Sequence, residues 1–171
     1  MSTIIIARYN ENLDWLYKYK EFKIIIYNKG EKFNFEGESK VIDLPNIGRE
    51  SHTWLHHIIT NYEKLDDVNI FLQGRIDDLG ALAYQDLYKY LEECNHQGFS
   101  VSRYGILGPF HWNNKLGLEN NPKYNSKIKN KSLKEPRISF KDLAKIFTNN
   151  IPLFTVTSYG GCFAVSKDLI R

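Results

Sequence analysis

Cysteine is nearly absent: Cys94 and Cys162 are the two in 171 residues, far apart and without Cys-x-x-Cys spacing. That excludes a disulfide framework and a zinc knuckle, and both read as small, buried apolar side chains. Long hydrophobic runs are also missing. The longest, Ile4-Ile5-Ile6-Ala7 and Ile24-Ile25-Ile26-Tyr27, fall far short of the roughly 20 residues of a membrane span, so no transmembrane segment is expected. No basic stretch precedes the first run and no small-residue cleavage site follows it, which argues against a signal peptide and makes a reducing cytoplasm the expected compartment. No charge of one sign dominates either. Twenty-three basic and 20 acidic side chains leave +3 and a pI of about 8.7. Without a basic helical stripe or a nucleic-acid motif, a nucleic-acid partner is not expected. Oligomeric state leaves no mark in the sequence.

What is present suffices for a core: 42% of residues are apolar and 14% aromatic. Thr3 to Tyr9, Phe22 to Tyr27, Lys40 to Leu44 and Val68 to Leu72 read as strands, the second and third buried on both faces. Leu13, Trp15, Leu16 and Tyr19 recur at helical spacing. From Glu50, the residues Trp54, Leu55, Ile58, Ile59 and Tyr62 mark one helix face, with His52 near its edge and His57 outside it. Ala81 to Cys94 reads as another helix, closed by Gly98 before a strand at Phe99 to Tyr104. Continuous apolar strands between amphipathic helices predict an α/β fold: a single, mostly parallel central sheet flanked by helices, in one domain spanning 1–171. His111 to Ile138, with seven basic and two acidic residues, reads as a long basic surface loop, either functional or simply disordered. Phe140 to Phe147 reads as a helix, Phe154 to Thr157 and Cys162 to Val165 as strands. Asp168 to Arg171 opens a helix that the chain does not finish, which suggests a minimal protein or a truncated one.

Ligands of an open parallel sheet bind at the carboxyl ends of its strands. Those ends carry Arg8-Tyr9-Asn10-Glu11, Asn46-Ile47-Gly48-Arg49-Glu50 and Gln73-Gly74-Arg75-Ile76-Asp77-Asp78. If the three tips lie side by side, Arg8, Arg49 and Arg75 focus positive charge where helix N-termini point, an arrangement suited to a phosphate or diphosphate; solvated loop charge is the alternative. Gly48 fits a tight strand-to-helix turn, with Glu50 or Ser51 in the first helical turn. His52 and His56, four apart on one helix face, reach a metal together with Asp77 in a hydrolase reading, although the general base of the zinc-protease motif is missing. Asp77 and Asp78 are candidate ligands for Mn²⁺ or Mg²⁺, and Asp78 is equally suited to cap the following helix.

The strings Ile6-Ala-Arg-Tyr-Asn-Glu-Asn-Leu-Asp-Trp-Leu16, Pro45-Asn-Ile-Gly-Arg-Glu-Ser-His-Thr-Trp-Leu-His-His-Ile-Ile59, Asn61-Tyr62 and Asn69-Ile-Phe-Leu-Gln-Gly74 resemble the domain of unknown function 3431 family over most of the chain. More distantly, the order of motifs resembles GT-A-type glycosyltransferases, which bind a nucleotide sugar on one α/β sheet. In that resemblance Tyr9-Asn10-Glu11 is the turn beside the nucleotide, and Asn46-Ile47-Gly48 opens the helix that sends Arg49 and His52 toward the donor. Gln73-Gly74-Arg75 stands where the metal-binding Asp-x-Asp is expected, and Gly160-Gly161-Cys-Phe is similar to the strand closing the acceptor side, next to Tyr159.

The resemblance implies transfer of a sugar from a nucleotide-diphosphate donor to an acceptor. Arg8, Asn10, Glu11 and Asn46 with Gly48 then line the nucleotide pocket, while Arg49, His52, Gln73 and Arg75 face the diphosphate. Asp77 or Asp78 serves as acceptor base or metal ligand, His111 heads a lid, and Tyr159, Gly160 and Gly161 border the acceptor. A non-catalytic binding protein on the same scaffold is the alternative from another class. It is favoured by the missing Asp-x-Asp.

Overall fold

The computed structural model describes residues 1–37, 39–76, 87–101, 104–107, 129–130, 139–146, 148–150, 155–158 and 161–171. They pack as two compact units, one of residues 1–103 with 158–171, the other of 104–157. In the first unit the strands are β1 (Ser2–Arg8), β2 (Lys23–Asn28), β3 (Ser39–Asp43), β4 (Val68–Gln73), β5 (Phe99–Val101) and β8 (Phe163–Ser166). They form a six-stranded sheet in the order β3-β2-β1-β4-β8-β5. The first four strands run parallel, and β8 is antiparallel to both β4 and β5, so the sheet is mixed but mostly parallel.

Alternate residues of each strand face opposite sides of the sheet, which is why the isoleucine runs build two cores at once. Ile4, Ile6, Ile24, Ile26, Ile70 and Leu72 pack against Leu13, Leu16 and Tyr19 of a 3-10 helix region and against α2 (Leu87–Gln97). On the other face Ile5, Ile25, Tyr27, Phe71 and Val165 pack on Trp54 of α1 (Arg49–Thr60). Ile4, Ile5 and Ile6 are fully buried, each stabilising by about 2 kcal/mol relative to exposure.

Three expectations are corrected. The edge strand β3 is only half-buried, since β2 covers one side of it alone. The inward face of α1 is Thr53, Trp54 and His57, whereas Leu55 and Ile59 are 60% and 72% exposed. His57 is buried because Tyr27 and Asn61 satisfy its ring: Nδ1 lies 3.0 Å from the Tyr27 hydroxyl. The predicted strand from Phe99 to Tyr104 is two strands, β5 and β6 (Tyr104–Leu107), in separate sheets.

In the second unit β6 pairs with β7 (Thr155–Ser158, its last residue grouped with the first unit), and α3 spans Phe140–Lys145. The chain ends in the short α4 (Lys167–Ile170). Nearly all of the predicted basic loop 111–138, and the first residues of the helix predicted from Ala81, lie outside the described residues. Among the described residues, no helix is long and apolar enough to cross a membrane.

Candidate functional site at the carboxyl edge of the sheet

The carboxyl ends of β1, β2 and β4 converge on one rim. β2 lies between β1 and β3, so the three tips read from the sequence are not three neighbours. The tip in between is Asn28-Lys29-Gly30, which ends β2 beside Arg8.

Arg8 ends β1 only 8% exposed. Its Nε donates to the Glu11 carbonyl (3.0 Å), and Nη1 donates to Asn28 Oδ1 (2.7 Å) and the Tyr9 carbonyl (3.3 Å). The guanidinium lies 3.9 Å over the Phe33 ring. Asn28, itself buried, passes the link on by donating Nδ2 to Asp43 Oδ1 (2.9 Å) and the Glu31 carbonyl (3.0 Å). Asn10 Oδ1 accepts from the Glu31 backbone (2.8 Å), and Glu11 Oε2 accepts from the Tyr9 backbone (2.6 Å). Glu11 also packs on Gly74, where a Cβ would lie 2.7 Å from Oε2. Beside Arg8 opens a recess of about 330 Å³ whose aromatic wall is Tyr17, Phe33 and Phe35, with Asn10, Asn12 and Asn34 at its margin. Tyr17 and Phe35 stack at 4.8 Å.

On the opposite face of the sheet, Lys29 is 9% exposed and donates Nζ to the carbonyls of Ile47 (2.8 Å) and Arg49. Burial lowers its pKa, an effect opposed by the nearby Glu50 carboxylate. Gly48 and Arg49 both adopt left-handed backbone, at φ 60° and 49°. The Arg49 side chain is exposed, 3.7 Å from Glu50. His52 stacks on His56 at 6.2 Å, and its Nδ1 is buried without a hydrogen-bond partner. Asn46 is exposed. At the end of β4, the Gln73 amide nitrogen lies 2.6 Å and Glu50 Cγ 3.2 Å from where a Gly161 Cβ would stand, so Gly161, Gln73 and Glu50 meet. Cys162 Sγ accepts the Gln73 N–H (3.5 Å), and burial pushes its thiol up to about 11. Arg75 is exposed on the same tip.

Arg8 and Lys29 are thus buried cations whose acceptors are carbonyls and an amide, and among the described residues neither has a carboxylate within ion-pair distance. Asp77, Asp78, His111, Tyr159 and Gly160 lie outside the described residues. Among the described residues no three His, Cys, Asp or Glu side chains group as a metal site. The expected Asp-x-Asp position offers an amide, a glycine and a guanidinium, a donor set that does not fit Mn²⁺ or Mg²⁺.

A family model described as "Protein of unknown function (DUF3431)" matches residues 4–171, and the chain belongs to that family. No curated protein matches. Among solved structures, a CMP:2-keto-3-deoxy-manno-octonic acid synthetase complexed with CTP is similar at 10% identity and a TM-score of 0.45, covering 99% of this chain and 75% of that one.

Proposed function

We propose that the carboxyl rim binds the diphosphate of a nucleotide sugar and that the chain is a glycosyltransferase-like enzyme. The observation that carries this reading is the buried Arg8 guanidinium, which among the described residues bonds only to carbonyls and an amide. A buried cation with no carboxylate bonded to it is costly, and the diphosphate supplies Arg8 with a bonded counter-charge. Arg8 borders a recess with aromatic walls, suited to the flat, polar surface of a nucleoside.

In transfer, an acceptor hydroxyl oxygen bonds to the anomeric carbon as that carbon's bond to the β-phosphate oxygen breaks. The hydroxyl proton goes to a carboxylate, for which Asp77 or Asp78 is the candidate, and the departing diphosphate takes the electron pair. Arg49 and Arg75 stabilise the charge developing on the diphosphate, a role that needs no metal. His111, Tyr159, Gly160 and Gly161 are candidates for the acceptor side.

A thermal-shift panel of nucleoside diphosphates and their sugars, with and without Mn²⁺, tests this. At a hundredfold excess over its dissociation constant a true ligand stabilises by about 2.7 kcal/mol. Stabilisation is expected without Mn²⁺, and Arg8→Met weakens binding by roughly tenfold or more, because a charge-assisted contact is removed. No shift with any common donor at millimolar concentration overturns the reading.

A further inference from the structure

We infer that Lys29 is the positioning residue of this rim: it clamps the strained turn before α1, and so aims Arg49, without touching the ligand. The role in binding rests on the diphosphate reading above; the clamp itself does not. Left-handed backbone at a non-glycine residue such as Arg49 persists only where its surroundings impose it. Here the imposing contact is visible. Lys29 Nζ bonds the carbonyls on both sides of Gly48, those of Ile47 and Arg49. The ammonium is anchored from below, since the Lys29 backbone N–H donates to the Arg8 carbonyl (2.8 Å) and β2 is pinned in register with β1. The turn is closed from the other side by Ile47 N–H to the Pro45 carbonyl (2.8 Å) and His52 N–H to the Gly48 carbonyl (3.1 Å). Gly48 has no room for a side chain, because a Cβ would lie 2.8 Å from His52 Cβ. With two of its three N–H donors on the turn's carbonyls, Lys29 serves the rim by shape, while Arg49 carries its exposed guanidinium, 3.7 Å from Glu50, at the surface.

Hydrogen exchange and pyrophosphate binding together test the clamp. In Lys29→Met the amide of His52, which closes the turn, should exchange about tenfold faster relative to the sheet, because the turn opens locally. Adding Arg49→Gly should restore protection, since glycine takes the left-handed conformation without a clamp. Unchanged exchange in Lys29→Met overturns the inference. So does a double variant that exchanges as fast as the single one, or one that does not fold. In calorimetry with inorganic pyrophosphate, Lys29→Met should weaken binding about tenfold in the natural background and less than about twofold when Arg49 is already Ala, the coupling expected of residues acting as one unit. Additive losses would mean direct contact by Lys29 and overturn the positioning role. If the unaltered chain binds neither pyrophosphate nor any nucleotide, the diphosphate reading falls, and the exchange measurements still decide the clamp.

Discussion

The two ends of the sheet treat charge in opposite ways. At the amino end three cations meet carboxylates: Lys23 meets Asp66 at 2.8 Å, Lys167 meets Asp67 at 2.6 Å, and the Met1 ammonium meets Asp67 at 2.5 Å. The Thr3 hydroxyl donates to Asp66 as well. At the carboxyl end Arg8 and Lys29 are more deeply buried, yet among the described residues they bond only to neutral acceptors. Burial raises the cost of an unpaired charge, so the deeper pair is the one that stability alone would neutralise first. One end sets its cations against carboxylates, while the other buries two cations against neutral acceptors.

The largest effect should come from breaking the carboxyl rim at Gly30. A Cβ there would overlap the Tyr9 carbonyl oxygen and Asn10 Oδ1, so the β1 tip itself must move. Backbone cannot rotate away as a side chain can. Gly30→Ala should therefore destabilise by about 4 kcal/mol or more, in the range reserved for severe core lesions. Urea denaturation measures this. A loss within experimental error would show that the tip is pliable and that the geometry around Arg8 is not fixed.

Next in size is an acid limb that belongs to the face beneath α1. Burial, then the nearby charges of Lys23 and His56, lower the His57 pKa from 6.5 to about 4. Between those values the unfolded chain binds a proton that the native protein refuses. Stability is thus full above pH 6.5 and falls by about 3 kcal/mol as the pH drops to 4. Asp66 and Asp67 have lowered pKa values, so their contributions fade only below the ordinary carboxylate value of 3.8. The windows are separate. His57→Gln should be less stable than the unaltered chain at pH 7 but flat between pH 6.5 and 4. An unchanged slope in the variant would assign that limb to other groups.

The same histidine shows what the sequence could and could not reveal. Leu55 and Ile59 set the apolar periodicity of α1, and apolarity alone turned them inward; the partners that let His57 sit inside, Tyr27 and Asn61, are distant or polar and invisible to periodicity. The isoleucine runs, by contrast, had one physical solution, burial on both faces of a parallel sheet, and the strands formed where the runs stand. At the rim, Arg8, Arg49 and Gln73 were legible because each directly ends a strand or opens a helix, and Asn10 and Glu11 because they sit in the turn just past β1. Asn28 and Lys29 were not. Asn-Lys-Gly reads as a turn, and only the order β3-β2-β1-β4, set by long-range pairing, moves that turn to the middle of the rim.

The smallest effect is expected at the amino end, and it sharpens the contrast most directly. Asp67 accepts from Lys167 and from the Met1 ammonium, and these contacts hold its carboxyl at about 2. Its side chain is nonetheless 62% exposed. Exposed ion pairs gain little because water and salt screen them, with a Debye length of about 8 Å at physiological ionic strength. The favourable contribution is present above pH 3.8 and disappears as the pH falls through about 2, so neutral pH is where Asp67→Asn should show whatever it costs. We expect a drop in melting temperature close to the error of the measurement at physiological salt, growing at low salt as screening weakens. If Asp67→Asn instead destabilised as severely as Gly30→Ala, the amino rim would be a structural keystone. Its ion pairs would then reflect a demand of the fold, and the missing carboxylate at Arg8 would lose its force as a sign of binding.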